Sequence, residues 1–132
     1  MKKIGIIGAG VVGTALGVVL HAKGYEITGV HDINLESTQK LVERVGCKAY
    51  SQPQDVSRSA DILFITPCDS AIEDVMDKLT ESRAFHPGQA VVHMSGAQSS
   101  EILDRAKLFG ANVLSVHPLQ SFANPDQAVR NL

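Results

Sequence analysis

Short apolar runs alternate along the chain with longer stretches in which apolar residues recur at helical spacing, and Gly, Pro or polar turn residues punctuate the change. The apolar runs predict strands at 3–8, 26–31, 47–50, 61–66, 90–94 and 112–117. The periodic stretches predict helices at 11–23, stopped by Gly24; at 35–45, stopped by Gly46; at 69–82, capped by Asp69; and at 99–109, capped by Ser99 and stopped by Gly110. Pro53 opens a short helical turn over 53–58. Runs such as Ile62-Leu63-Phe64-Ile65 are apolar on successive residues, as expected of strands covered on both faces in a parallel sheet. The rhythm predicts one α/β domain with a doubly wound, mainly parallel sheet of six strands. With right-handed crossovers its commonest order is 3-2-1-4-5-6. Such sheets bind ligands at the carboxyl ends of their strands. There the chain has Gly8-Ala9-Gly10, Asp32, Thr66-Pro67-Cys68, Ser95-Gly96 and His117-Pro118.

Composition narrows the classes of partner. With 132 residues the chain can bury roughly two-thirds of its unfolded surface without disulfides or metals. Its 12 basic and 14 acidic residues are scattered, which argues against nucleic acid or an anionic membrane as partner. Cys47 and Cys68 stand 21 residues apart without the spacing of a zinc site, so free thiols in a reducing, cytoplasmic setting are expected. Lys2-Lys3 and the uncharged stretch 4–20 imitate a signal peptide, but five glycines interrupt it and no small-residue cleavage site follows.

Those glycines have a chemical reading. Gly8-Ala9-Gly10-Val11-Val12-Gly13 fits G-x-G-x-x-G, follows a predicted strand and opens a predicted helix. Gly8 permits a tight turn, Gly10 lets backbone approach a pyrophosphate, and Gly13 lets helix and strand pack closely. The helix start offers free N–H groups and partial positive charge to an anion. Asp32 lies 19 residues after Gly13 at the end of the second strand, where a carboxylate can accept from adenosine ribose hydroxyls. A 2′-phosphate there would meet like charge, and no Lys or Arg follows until Lys40, so NAD is expected, with NADP the second choice. The alternatives are a Gly-rich turn without a ligand and, for Asp32, an ordinary turn residue.

The Gly8–Gly13 turn, Ala60-Asp61-Ile62-Leu63-Phe64-Ile65-Thr66-Pro67, Val91-Val92-His93-Met94-Ser95-Gly96-Ala97 with Ser99-Ser100, and Leu114-Ser115-Val116-His117-Pro118-Leu119-Gln120-Ser121-Phe122 resemble one known group. It is the Rossmann-like oxidoreductases with a helical second domain, the DUF2520 group, within the 6-phosphogluconate dehydrogenase-like and pyrroline-5-carboxylate reductase-like class. The resemblance spans essentially the whole chain and implies a three-layer Rossmann fold. It also implies that Thr66 and Pro67 join Gly8, Ala9, Gly10, Val11, Val12, Gly13 and Asp32 around the cofactor. Where the group often carries a Ser/Arg segment suited to NADP, this chain has His31-Asp32-Ile33-Asn34. In this class a helical domain usually completes the substrate pocket and builds a homodimer. Residues 1–132 are therefore expected to be the NAD(P)-binding half, without that second domain.

Ser95 and His117 end adjacent predicted strands. Prephenate dehydrogenases, in the same wider class, resemble this chain in carrying a Ser and a His-Pro there, the His bonding the reacting hydroxyl of the substrate. A His near neutrality suits proton transfer coupled to hydride transfer; the plainer alternative is a pre-proline His making a structural bond. His93 is expected in the core, His21 at a helix C-terminus and His86 in a turn; none pairs into a metal site. The expectation is thus an oxidoreductase acting on a small hydroxy or amino compound, or its carbonyl or imine partner. A rival reading is a non-catalytic NAD(P) sensor or regulatory module.

Overall fold

The computed structural model describes residues 2–66, 69–93 and 103–115. Six strands, β1 (Lys3–Ile7), β2 (Glu26–His31), β3 (Lys48–Ala49), β4 (Ile62–Ile65), β5 (Ala90–His93) and β6 (Asn112–Ser115), form one sheet in the order β3-β2-β1-β4-β5-β6. Every pairing is parallel, so the sheet is more uniform than the mainly parallel one expected.

The apolar runs are buried on both faces, as their lack of alternation requires. In β4, Ile62 and Phe64 enter the core beneath helices α1 (Val11–Ala22) and α2 (Leu35–Val45). Leu63 and Ile65 enter the opposite core beneath α3 (Pro53–Ser59) and α4 (Asp69–Glu81). Adjacent residues thus serve different layers, and two helical layers enclose the sheet. Glycine stops end the helices where the pattern places them: Gly46 and Gly110 adopt left-handed φ values of 71° and 84°, which side-chain-bearing residues rarely tolerate.

Two predicted elements change. The short turn at 53–58 is a seven-residue α-helix, with Pro53 in its first turn, where a missing N–H costs nothing. The helix predicted at 99–109 is, in its described part, a 3-10 helix over Asp104–Phe109, tied to α4 by an Arg105–Asp77 ion pair. Ser99, its expected cap, lies outside the described residues.

At the amino end of the sheet a buried polar network binds the layers together. Ser57 Oγ donates to the Ala84 carbonyl at 3.0 Å, and Gln89 Nε2 donates to the Ser57 and Ala60 carbonyls at 2.8 and 3.1 Å. His86 Nε2 donates to Ala60 at 2.9 Å, giving the turn histidine a structural partner. Cys47 is buried, and burial pushes its thiol above the ordinary range. Less thiolate then forms at neutral pH, so the native protein should alkylate Cys47 slowly at pH 7–8 and rapidly only once unfolded, as mass mapping of the labelled peptide would record.

Candidate nucleotide site

The register of the sheet brings the sequence-predicted residues to one edge. Ile7 pairs with His31 on one side and Ile65 on the other, so the next residues, Gly8, Asp32 and Thr66, leave three adjacent strands together. Gly8 N–H donates to the His31 carbonyl at 2.7 Å, with φ at 103°, the left-handed conformation that makes glycine necessary here. Thr66 Oγ1 donates to the Gly8 carbonyl at 2.8 Å and holds the turn from the β4 side.

The other two glycines have distinct reasons. A Cβ on Gly13 would stand 1.9 Å from the Gly8 carbonyl oxygen and 2.6 Å from Thr66 Oγ1, so the close packing expected of it is real. Alanine normally gains about 1 kcal/mol over glycine inside a helix, but here the clash with backbone reverses the sign. Gly13→Ala should lower Tm by roughly 4–12 °C, from an overpacking cost of about 1–3 kcal/mol, measurable by calorimetry. Gly10 is different. Its backbone is extended at φ −76°, and a Cβ there would meet nothing within 4 Å. Neither conformation nor packing requires glycine at position 10.

Gly10 is the N-cap of α1, makes no side-chain cap, and is followed by a first turn without an acidic residue. Thr14 N–H donates to the Gly10 carbonyl at 2.9 Å, closing the first helical bond, while the N–H groups before it have no acceptor within the helix. The first turn of α1 thus supplies no carboxylate of its own to the positive end of the helix. Val12 packs its side chain partly against the core, leaving only its backbone to serve a ligand; of Val11, only the backbone is described.

Asp32 closes the opposite side. Its Oδ2 accepts from Ala9 N–H at 2.6 Å and its Oδ1 from Asn34 N–H at 2.8 Å. Asn34 caps α2 by accepting from Ser37 N–H at 3.1 Å. Between the turn and α4 lies a cleft of about 370 Å³ lined by Gly8, Gly10, His31, Asp32, Ile33, Thr66, Ala71 and Val75 among others. This volume falls within the usual range for small-molecule sites. Ile33, next to Asp32 in the chain, is 82% exposed, and it and Val75 are apolar parts of the lining. His31 is buried, its Nδ1 donating to the Tyr50 carbonyl at 2.9 Å.

Sequence reasoning missed His31, Ile33 and the α4 residues as parts of this cleft. Ile33 carried a signal, an apolar residue within the polar turn Asp32-Ile33-Asn34; α4 carried none, because only the crossover brings it there. Pro67, Ser95 and His117 lie outside the described residues. His93 is buried in β5, as expected. Among the described residues no cluster of three or more His, Cys, Asp or Glu could hold a metal ion, and no helix is long and apolar enough to cross a membrane.

Solved structures share this architecture. An imine reductase from Pseudomonas sp. superposes with TM-score 0.76 at 20% identity, over 90% of this chain and 43% of that one. The imine reductase from Myxococcus stipitatus covers 99% of this chain and 52% of its own at 19% identity, with TM-scores of 0.77 for a variant in complex with NAD+ and 0.75 in complex with NADP+. In sequence, the glucose-6-phosphate 3-dehydrogenase of Bacillus subtilis is 35% identical over 66 residues, 49% of this chain and 19% of that protein. The chain thus spans about half or less of the length of these proteins. The Rossmann-like domain family matches residues 1–118, the turn, the acidic strand end and all six strands included, and the chain belongs to that family.

Proposed function

We propose that the chain is the dinucleotide-binding domain of an NAD(P)-dependent oxidoreductase and that it prefers NAD(H). One observation carries the reading: Gly10 is a glycine that the fold does not need, at an uncapped helix N-terminus that lines the cleft, where an added Cβ would meet only open space. A pyrophosphate is the anion that such a cradle fits. Asp32 would accept from the adenosine ribose, and Ile33 and Val75 would flank the flat base. Bound there, the nicotinamide would supply the site that gains or loses hydride, while the protein binds and orients it.

The cofactor choice follows from charge. Placing a 2′-phosphate within a few ångströms of Asp32 would cost about 1–3 kcal/mol, so the chain should bind NADH roughly 5- to 150-fold more tightly than NADPH. Fluorescence titration of the chain with each nucleotide tests both statements. Asp32→Ser should narrow the gap; a wild-type preference for NADPH would overturn the NAD assignment, and no binding of either would overturn the domain's function.

In the complete protein the substrate would be a small hydroxy or amino compound, or its carbonyl or imine partner, held between this domain and a helical second domain that also forms a homodimer. His117 would be the proton acceptor in the oxidation direction, with Ser95 bonding the substrate or the imidazole. Support comes from the register of β5 and β6, which runs at a constant offset of 22 residues from Ala90↔Asn112 to His93↔Ser115. Ser95 and His117 have that same separation in the sequence.

A further inference from the structure

The reading above gives Asp32 one task, accepting from a ribose, yet both of its oxygens already hold backbone N–H groups from two different segments. Oδ2 takes the N–H of Ala9, the middle residue of the glycine turn, across 23 residues of chain, and Oδ1 takes that of Asn34, the cap of α2. At 2.6 Å, the Ala9 bond is short for an N–H donor, in the direction that a carboxylate acceptor favours. Ala9 is buried, and its carbonyl is held in turn by Thr14 Oγ1 at 2.9 Å. Gly8 is fixed on either side by the His31 carbonyl and Thr66 Oγ1. Two side chains that hold the turn also line the cleft, Thr66 at the end of β4 and Asp32 just after β2, and of these Asp32 carries the charge.

We propose that Asp32 is a positioning residue for the phosphate-binding turn, in addition to its contact with ribose. This inference rests on the dinucleotide reading. The carboxylate orients Ala9 so that its N–H points toward β2, and the N–H groups of the first turn of α1, from Gly10 to Gly13, are the ones aimed at the anion. Ala9 itself then donates nothing to phosphate. The carboxylate also sets the distance between the turn and the start of α2, hence the width of the cleft between its phosphate and ribose ends. A residue chosen only to admit a 2′-phosphate, lacking an acceptor for Ala9, would relax the charge conflict and slacken the turn together.

The two roles predict opposite signs in one measurement. Inorganic pyrophosphate has no ribose, so a carboxylate that serves only ribose would, when removed, leave its affinity unchanged or improve it by relieving repulsion. If Asp32 positions the turn, Asp32→Ala should instead weaken pyrophosphate binding roughly tenfold, read from amide shifts of residues 10–13 in an NMR titration of the labelled chain. Asp32→Asn, which keeps one acceptor oxygen, should recover part of that loss and serves if the alanine variant folds poorly. Without any ligand, the Ala9 amide should exchange slowly in the wild type, faster in Asp32→Asn and fastest in Asp32→Ala. Equal protection of Ala9 in wild type and Asp32→Ala, or pyrophosphate affinity unchanged or raised in both variants, would overturn the proposal. Failure of the wild type to bind NADH would overturn the dinucleotide reading instead, and the Ala9 exchange result would stand apart from it.

Discussion

Gly10→Val should abolish NADH binding while leaving the melting temperature of the chain close to that of the wild type. The backbone at Gly10 is extended, and a Cβ there touches nothing, so a side chain can be added without a backbone clash. The same side chain would stand where the pyrophosphate must approach. Losing two hydrogen bonds between backbone N–H groups and a charged oxygen costs about 3–6 kcal/mol. At 1.4 kcal/mol per decade this weakens binding by roughly 100- to 10,000-fold, beyond the range of a fluorescence titration at micromolar protein. Gly13→Ala provides the contrast, losing stability because its Cβ meets the Gly8 carbonyl. Unchanged NADH affinity in Gly10→Val would remove the phosphate cradle from the proposed function; a large fall in Tm would show that Gly10 serves the fold.

If His117 is the proton acceptor proposed above, His117→Asn in the full-length protein should lower turnover by roughly 100- to 10,000-fold, the usual contribution of a positioned general base, with NADH affinity little changed. Asparagine preserves much of the shape and hydrogen bonding of histidine but has no nitrogen that titrates near neutrality. The low-pH limb of the kcat/KM profile should therefore disappear in the variant, while Ser95→Ala should cost less and keep that limb. Near-normal turnover in His117→Asn would return the residue to a structural pre-proline role, and matched losses in affinity and turnover would assign it to the nucleotide site.

The parts of the molecule legible in the sequence are those whose physical cause is local. Gly8 and Gly13 sit within one turn, and the successive apolar residues of β4 announce burial on both faces; strand order followed from these together with chirality rules. Boundaries shifted by a residue or two because strand ends depend on pairing with neighbours: the run 61–66 pairs only over Ile62–Ile65. The short turn predicted at 53–58 extends to a helix over Pro53–Ser59 because Val56 and Ser57 are buried, Ser57 within the network around Gln89. The walls of the cleft were the least legible. Val75 reaches it through the β4–α4 crossover, and the bond from Asp32 to Ala9 joins residues 23 apart, with nothing in the intervening sequence to mark it.

The polar network of Ser57, Gln89, His86 and Ala60 lies at the amino end of the sheet, and the cleft beside Asp32 lies at the carboxyl end. Between them run strands whose side chains are committed to two dry cores. A change at one end therefore need not disturb the other. Turns at the carboxyl edge are free to acquire new substrates and cofactor preferences while the opposite edge keeps the layers joined, which allows one scaffold to diversify its chemistry without re-inventing its fold.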